Sequence, residues 1–439
     1  MKYYVCIALA FCTIHLSAQN IGNIGTLPVI TPPTPPNPYQ QSRTFLNSHQ
    51  NNSYNPQELT DIQMRNQAII NESTAAIQSN IQQQLAIQQL IDSGFPSQSY
   101  QDPQGTACFY QAFEEINAML KGEKPLRLGR AIFLVENAFR GNTMDYSNYQ
   151  NFINHEVQLC NQKIREEKLN PANNMVKNMM LFRLISDTLT FKGSSSESPV
   201  IHLPVKYDYE GYDYSTHYGT QFVTYLMQNG IGQCNSMPLY YLVLAEAIGA
   251  EAYWSFSPLH SFIKIKDEEG RWYNLELTCN AVLSDAHYMN NSYIKAEAIR
   301  NHLYLEPMDK KTVVAEMLVE LAAGYYEKYG LDDFYLKCAD TADPYLQNKL
   351  NVLMLKSCYE TRLTLIIAKL LEARNPDILK EKSPEAYKHF IRMNELYKQI
   401  DDLGYEELPP TLYAKWLDYL AKQKEKNQNS KTMLLNEIK

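Results

Sequence analysis

The chain has 439 residues, 45% of them hydrophobic and 20% charged, with a formal net charge of -8. That length allows two or three domains and a sizeable core. The acidic balance excludes a nucleic-acid binder that relies on a broad basic face, and it gives no electrostatic pull towards an anionic membrane.

The first 18 residues read as a secretory signal: Lys2, a mostly apolar run from Tyr4 to Leu16, then small residues at Ser17 and Ala18. Export to the periplasm or beyond is therefore expected, with no integral membrane segment left after cleavage. Residues 19–60 are rich in Pro, Asn and Gln and read as a disordered linker. Residues 61–195 are expected to be a helical N-terminal region. It opens with a Gln-rich segment in which Ile62, Ile69, Ile70, Ile77, Ile81, Leu85 and Leu90 have helical spacing. That segment reads as one amphipathic helix lying on the body, with a coiled coil as the alternative.

Helices are then expected over residues 109–120, 129–139 and 149–167, and another opening at Pro171 with Met175, Met179, Met180, Leu184 and Ile185 as its buried stripe. Gly193 to Ser196 reads as a loop. The tyrosines from Tyr207 to Tyr218 alternate with acids, which suits a strand or hairpin that either packs on the body or lines a groove for a basic peptide or amine. Residues 196–305 form a compact helix-then-strands unit. Residues 306–439 are expected to be helical, over 312–329, 344–357, 361–372, 384–403 and 410–424. Short paired helices suggest a layer of the helical-repeat type.

The chemistry concentrates between residues 232 and 278. Gly232-Gln233-Cys234 precedes an apolar segment carrying Leu239, Leu242, Val243 and Ile248, with Gly249 as terminator. Cys234 thus falls at a helix N-terminus, where free N–H groups and the dipole favour thiolate. Its backbone N–H and Gln233 are candidates for an oxyanion hole. Residues 251–257 read as a strand, Pro258 interrupts it, and His260 opens the next. Asp267 to Gly270 is a turn, and residues 271–278 return as a third strand. Glu276 and Asn274 are two apart, so they share a face, and either can accept from the imidazole. His287 is a reserve base in a loop. Cys279 reads as structural. No CxxC pair, zinc-type spacing or calcium-type loop is present, so no cofactor is expected.

These stretches resemble the core of the transglutaminase-like superfamily, over roughly residues 205–300. Its pattern is a cysteine heading a helix, a strand opening with histidine, then a tryptophan followed by an acid and a threonine. Trp272, Glu276 and Thr278 stand in those last places, with Glu276 where aspartate is usual. The resemblance implies an α+β fold: a papain-like core with a small antiparallel sheet, flanked by N-terminal helices and an all-helical C-terminal region. It also implies a Cys234–His260–Glu276 triad that opens an amide of a peptide or protein substrate and forms a thioester. Hydrolysis and acyl transfer stay open. So does an idle scaffold that binds proteins through its helical flanks.

Overall fold

The computed structural model describes residues 56–192, 199–209 and 217–407, together with Thr411, Leu412, Lys415, Trp416, Asp418 and Tyr419. The segments read as a signal and as most of a linker, the stretch Gly193–Ser196 read as a loop, Tyr212, Tyr214 and most of the expected 410–424 helix lie outside the described residues. These residues divide between two units, one ending at Asp92 and the other beginning at Ser93. In the first unit, α1 (Pro56–Ser93) is one uninterrupted helix, as the isoleucine spacing predicts.

The second unit mixes helix with small sheets. It begins with α2 (Pro103–Lys121), α3 (Leu128–Phe139), α4 (Tyr146–Glu166) and α5 (Asn174–Ser186). The helix expected to open at Pro171 opens instead at Asn174. Asn173 accepts a hydrogen bond from the backbone N–H of Val176, and that cap sets the start. Two short pairs follow. β1 (Leu189–Phe191) runs antiparallel to β2 (Val200–His202), and β3 (Lys206–Tyr207) pairs in parallel with β4 (Ile231–Gly232). Between β3 and β4 lies α6 (Val223–Asn229). Glu136 on α3 reaches across to cap α6, accepting from the N–H groups of Val223 (2.7 Å) and Thr224 (2.9 Å). Burial pushes its carboxyl up to about 7 against the pull of those bonds.

α7 (Ser236–Ile248) is the central helix: every residue from Ser236 to Ala245 is buried. It packs against α3, α4, α5 and the sheet that follows. That sheet is an antiparallel meander of β5 (Tyr253–Ser257), β6 (His260–Lys266), β7 (Trp272–Glu276) and β8 (Ala281–Leu283). Alternation along β5 and β6 places Trp254, Phe256, Ile263 and Ile265 on one face. The other face carries Ser255, Ser257, His260, Phe262 and Lys264.

Two short helices, α8 (Asp285–Asn291) and α9 (Ala296–Arg300), lead into α10 (Lys310–Tyr329), α11 (Asp333–Ala342), α12 (Leu350–Leu370), α13 (Pro376–Lys382) and α14 (Pro384–Asp402). His287, expected in a loop, lies on α8, because Ser284 caps that helix by accepting from the His287 N–H. The two helices expected over 344–357 and 361–372 are replaced by the single α12. Their polar junction does not break it: Thr361 Oγ1 donates to the Ser357 carbonyl (2.6 Å), back-bonding within the helix. The sequence pattern did not foresee α11 or α13. No described helix is long and apolar enough to cross a membrane.

Candidate active site

Two glycines shape the approach to Cys234. Gly230 ends α6 in the left-handed region, at φ 64°, and returns its N–H to the Leu226 carbonyl. Gly232 sits where a Cβ would meet Leu226 Cδ1 at 2.5 Å and Met237 Cγ at 2.8 Å, so only glycine lets the chain pass so close to α7. The Met237 N–H bonds back to the Gln233 carbonyl (3.0 Å), so the first turn begins at the residue before Cys234. The cysteine therefore stands at the entry of α7, as its sequence context predicts.

The hairpin carrying the histidine is tight. Ser257 pairs with His260, which leaves only Pro258 and Leu259 in the turn. Leu259 has φ 55°, the conformation that a residue after proline takes in a type II turn. One residue later Ser261 ties the hairpin to the cysteine. Its Oγ accepts from Trp254 Nε1 (2.8 Å) and donates to the Cys234 carbonyl (2.5 Å). The nucleophile's backbone is thereby fixed to the strand that bears the base.

His260 Nε2 bonds Glu276 Oε2 at 2.8 Å, leaving Nδ1 as the nitrogen available to Cys234. His260 and Glu276 are 0% exposed and Cys234 is 3% exposed. Burial alone would lower the imidazole pKa. The Glu276 charge, the contact with Cys234 and the hydrogen bond to Glu276 outweigh burial and push it up to about 9. Burial would likewise raise Glu276, yet the charge and hydrogen bond of His260 hold its carboxyl below its ordinary value. The pair is thus an imidazolium facing a carboxylate.

Glu276 is held by two further donors. The Thr278 N–H reaches Oε1 (2.9 Å) and the Tyr288 hydroxyl reaches Oε2 (2.8 Å). Tyr288 comes from α8 and stacks on Phe262 with centroids 4.1 Å apart. α8 is itself fastened to the sheet, because Asp285 accepts from Lys264 Nζ (2.7 Å) and Asn274 Nδ2 (2.8 Å). Asn274 gives its Nδ2 to Asp285, and the carboxylate that His260 bonds is Glu276. Gln233 is fully buried. Its backbone N–H goes to Ser236 Oγ (2.9 Å), and its side-chain amide lies 3.4 Å from Thr220 Oγ1.

The sequence reading missed three participants: Ser261, Tyr288 and Trp416. Trp416 packs on the His260 ring, with centroids 4.4 Å apart. Ser261 adjoins His260 in the chain, and that adjacency was the one local signal available. Cys279 is fully buried, and His287 is half-buried with its pKa lowered by desolvation. Among the described residues no group of three or more His, Cys, Asp or Glu side chains is arranged to hold a metal ion. Comparison of the chain with family models, with curated proteins and with solved structures gives no match.

Proposed function

We propose that this chain is a secreted, transglutaminase-like cysteine enzyme that cleaves or transfers amide bonds of peptide or protein substrates. One observation carries the reading. A buried imidazole beside Cys234 is bonded to Glu276 at 2.8 Å and keeps its proton up to about pH 9. An imidazolium of that kind stabilises a neighbouring thiolate and is ready to protonate an amine leaving group. In the reaction, the Cys234 thiolate, paired with the already protonated His260, attacks the amide carbonyl through Sγ. The C–N bond then breaks as His260 gives its proton to nitrogen, and a thioester remains. Water releases an acid from it, or a second amine forms a new amide, and either step regenerates the thiolate. Glu276 holds the ring and its charge throughout.

Alkylation by iodoacetamide across pH, mapped by mass spectrometry, tests this reading. Cys234 should react fastest of the six cysteines in the described residues and should keep that lead below the ordinary thiol pKa of about 8.5. His260→Ala should remove the lead. Equal or absent reactivity at Cys234 would sink the enzyme reading. It would favour the idle scaffold that binds through its helical flanks, a reading supported by the burial of all three side chains.

A further inference from the structure

Two aromatic residues near the site come from the far end of the chain. Thr411, Leu412, Lys415, Trp416, Asp418 and Tyr419 are helical. Trp416 and Tyr419 are three apart and so share a face. Both meet histidines. Trp416 is 5% exposed and stands edge to face against His260, at an interplanar angle of 71°. Tyr419 stacks along His287 with centroids 5.9 Å apart.

Beside His260 the same strand face carries hydroxyls. Ser257 lies directly across the strand pair from His260, and Ser255 is the next residue on that face. Both are 0% exposed, and neither hydroxyl has a hydrogen-bond partner among the described residues. Unpaired buried hydroxyls are costly, so a strand face that carries two of them beside His260 is suited to meeting a polar partner. Hydroxyls in this position suit a surface that meets peptide N–H and C=O groups.

We propose that Trp416 fills an aromatic subsite beside His260, so that the site takes amide substrates with an aromatic side chain next to the reacting carbonyl. Trp416 then stands in the place of that side chain until a substrate displaces it. The substrate part of this proposal rests on the cysteine-enzyme reading above. The subsite itself can be tested apart from it.

The test uses the full chain and two peptidyl chloromethyl ketones, one ending in phenylalanine and one in alanine. Each reacts when Cys234 Sγ attacks the methylene carbon and chloride leaves, giving a thioether. In the wild type both reagents should label Cys234 slowly. Trp416→Ala should speed labelling by about tenfold or more and should prefer the phenylalanine reagent by about tenfold, the scale set by filling one apolar pocket. Trp416→Phe, which keeps a ring in place, should stay near the wild-type rate. Labelling of Cys160 and Cys338 in the same samples reports any unfolding. If Trp416→Ala unfolds, Tyr419→Ala provides the same readings. An unchanged rate in a folded variant, or equal rates with the two reagents, overturns the subsite. His260→Ala added to Trp416→Ala separates the two claims. If the aromatic preference persists while the rate is indifferent to His260, the subsite stands and the catalytic reading fails.

Discussion

Among the described residues, two groupings of cysteine, histidine and glutamate share their side-chain chemistry and differ in where the fold places them. In the first, His260 bonds Glu276 through Nε2 and Oε2 at 2.8 Å, beside Cys234. In the second, His202 bonds Glu156 through the same two atoms at 3.1 Å, with Cys160 four residues beyond Glu156 on α4. The chemistry of the side chains is alike, and their placement differs. Cys234 stands at the entry of α7, whereas Cys160 lies inside α4, where the backbone N–H groups are spent on the helix. Burial, then the Glu156 charge, pushes the Cys160 thiol far up, so it stays protonated. His202 and Glu156 lie on the wall of a pocket of about 140 Å³, among apolar side chains such as Phe152 and Leu226. Residue types do not make a reactive thiol. A helix entrance and a charge held beside it do.

The sharpest way to break this comparison is to remove each acid. Glu276→Ala leaves His260 buried without its partner and deprives the Tyr288 hydroxyl and the Thr278 N–H of their acceptor. It should cost about 3–5 kcal/mol in denaturant unfolding. Glu156→Ala removes a carboxylate from a more accessible pair and should cost about 1–2 kcal/mol. Similar losses for the two variants would mean that the first pair is no more tightly engineered than the second.

A second test uses pH. The His260 pKa lies at about 9 in the folded chain against an ordinary 6.5, so folding tightens proton binding. Its stabilisation is complete below 6.5 and is lost as pH rises through 9. The Glu276 pKa is lowered from 4.5, so its share is present above 4.5 and is lost as pH falls through its folded value. The pair is at full strength between about 4.5 and 6.5, and raising the pH to 10 should remove about 3 kcal/mol. Unfolding curves at pH 6 and pH 10 give that difference. Glu276→Gln should shrink it and Glu156→Gln should leave it intact. Other groups titrate over the same range, but they cancel when each variant is set against the wild type.

Ser261→Ala is expected to have a smaller effect. It strands the Trp254 indole N–H and frees the Cys234 carbonyl, and should cost about 2 kcal/mol. The Cys234 alkylation rate should fall as well, because the strand then no longer fixes the nucleophile. Among the described residues no side chain ties the Cys160 carbonyl to a neighbouring strand, and its labelling should not change. A variant that loses stability but keeps the Cys234 rate would make Ser261 a packing residue only.

Much of this site was legible along the chain, because its three principal residues sit at element boundaries that leave local marks. Gly232 and Gln233 announce the start of α7, Pro258 marks the turn before His260, and the spacing from Trp272 to Thr278 frames Glu276. What the sequence did not yield is whatever depends on contacts between distant segments. Tyr288 reaches Glu276 only because Asp285 pins α8 to Lys264 and Asn274, and those bonds leave no periodic trace. Asn274 seemed equivalent to Glu276, since period two puts both on one face; the register across β6 and β7 sends its amide to Asp285. Trp416 was invisible for the same reason, being one of several aromatics in its stretch of sequence until the fold carries it to His260. The continuous α12 shows a related limit, because a polar stretch predicts a break only if its hydroxyls do not bond back to the helix.

The mildest prediction closes the comparison at the thiols. Cys160→Ala removes one buried sulfur from a tightly packed position on α4 and should cost about 1 kcal/mol. Cys234→Ala removes a sulfur that is equally buried, and its cost in unfolding should be of the same order. The two variants should part in alkylation. Cys160→Ala keeps the fast-reacting site and Cys234→Ala abolishes it, with no other cysteine rising to take its place. Equal stability costs with opposite chemical outcomes would show that burial is common to both thiols and that reactivity belongs to the one at the helix entrance beside an imidazolium.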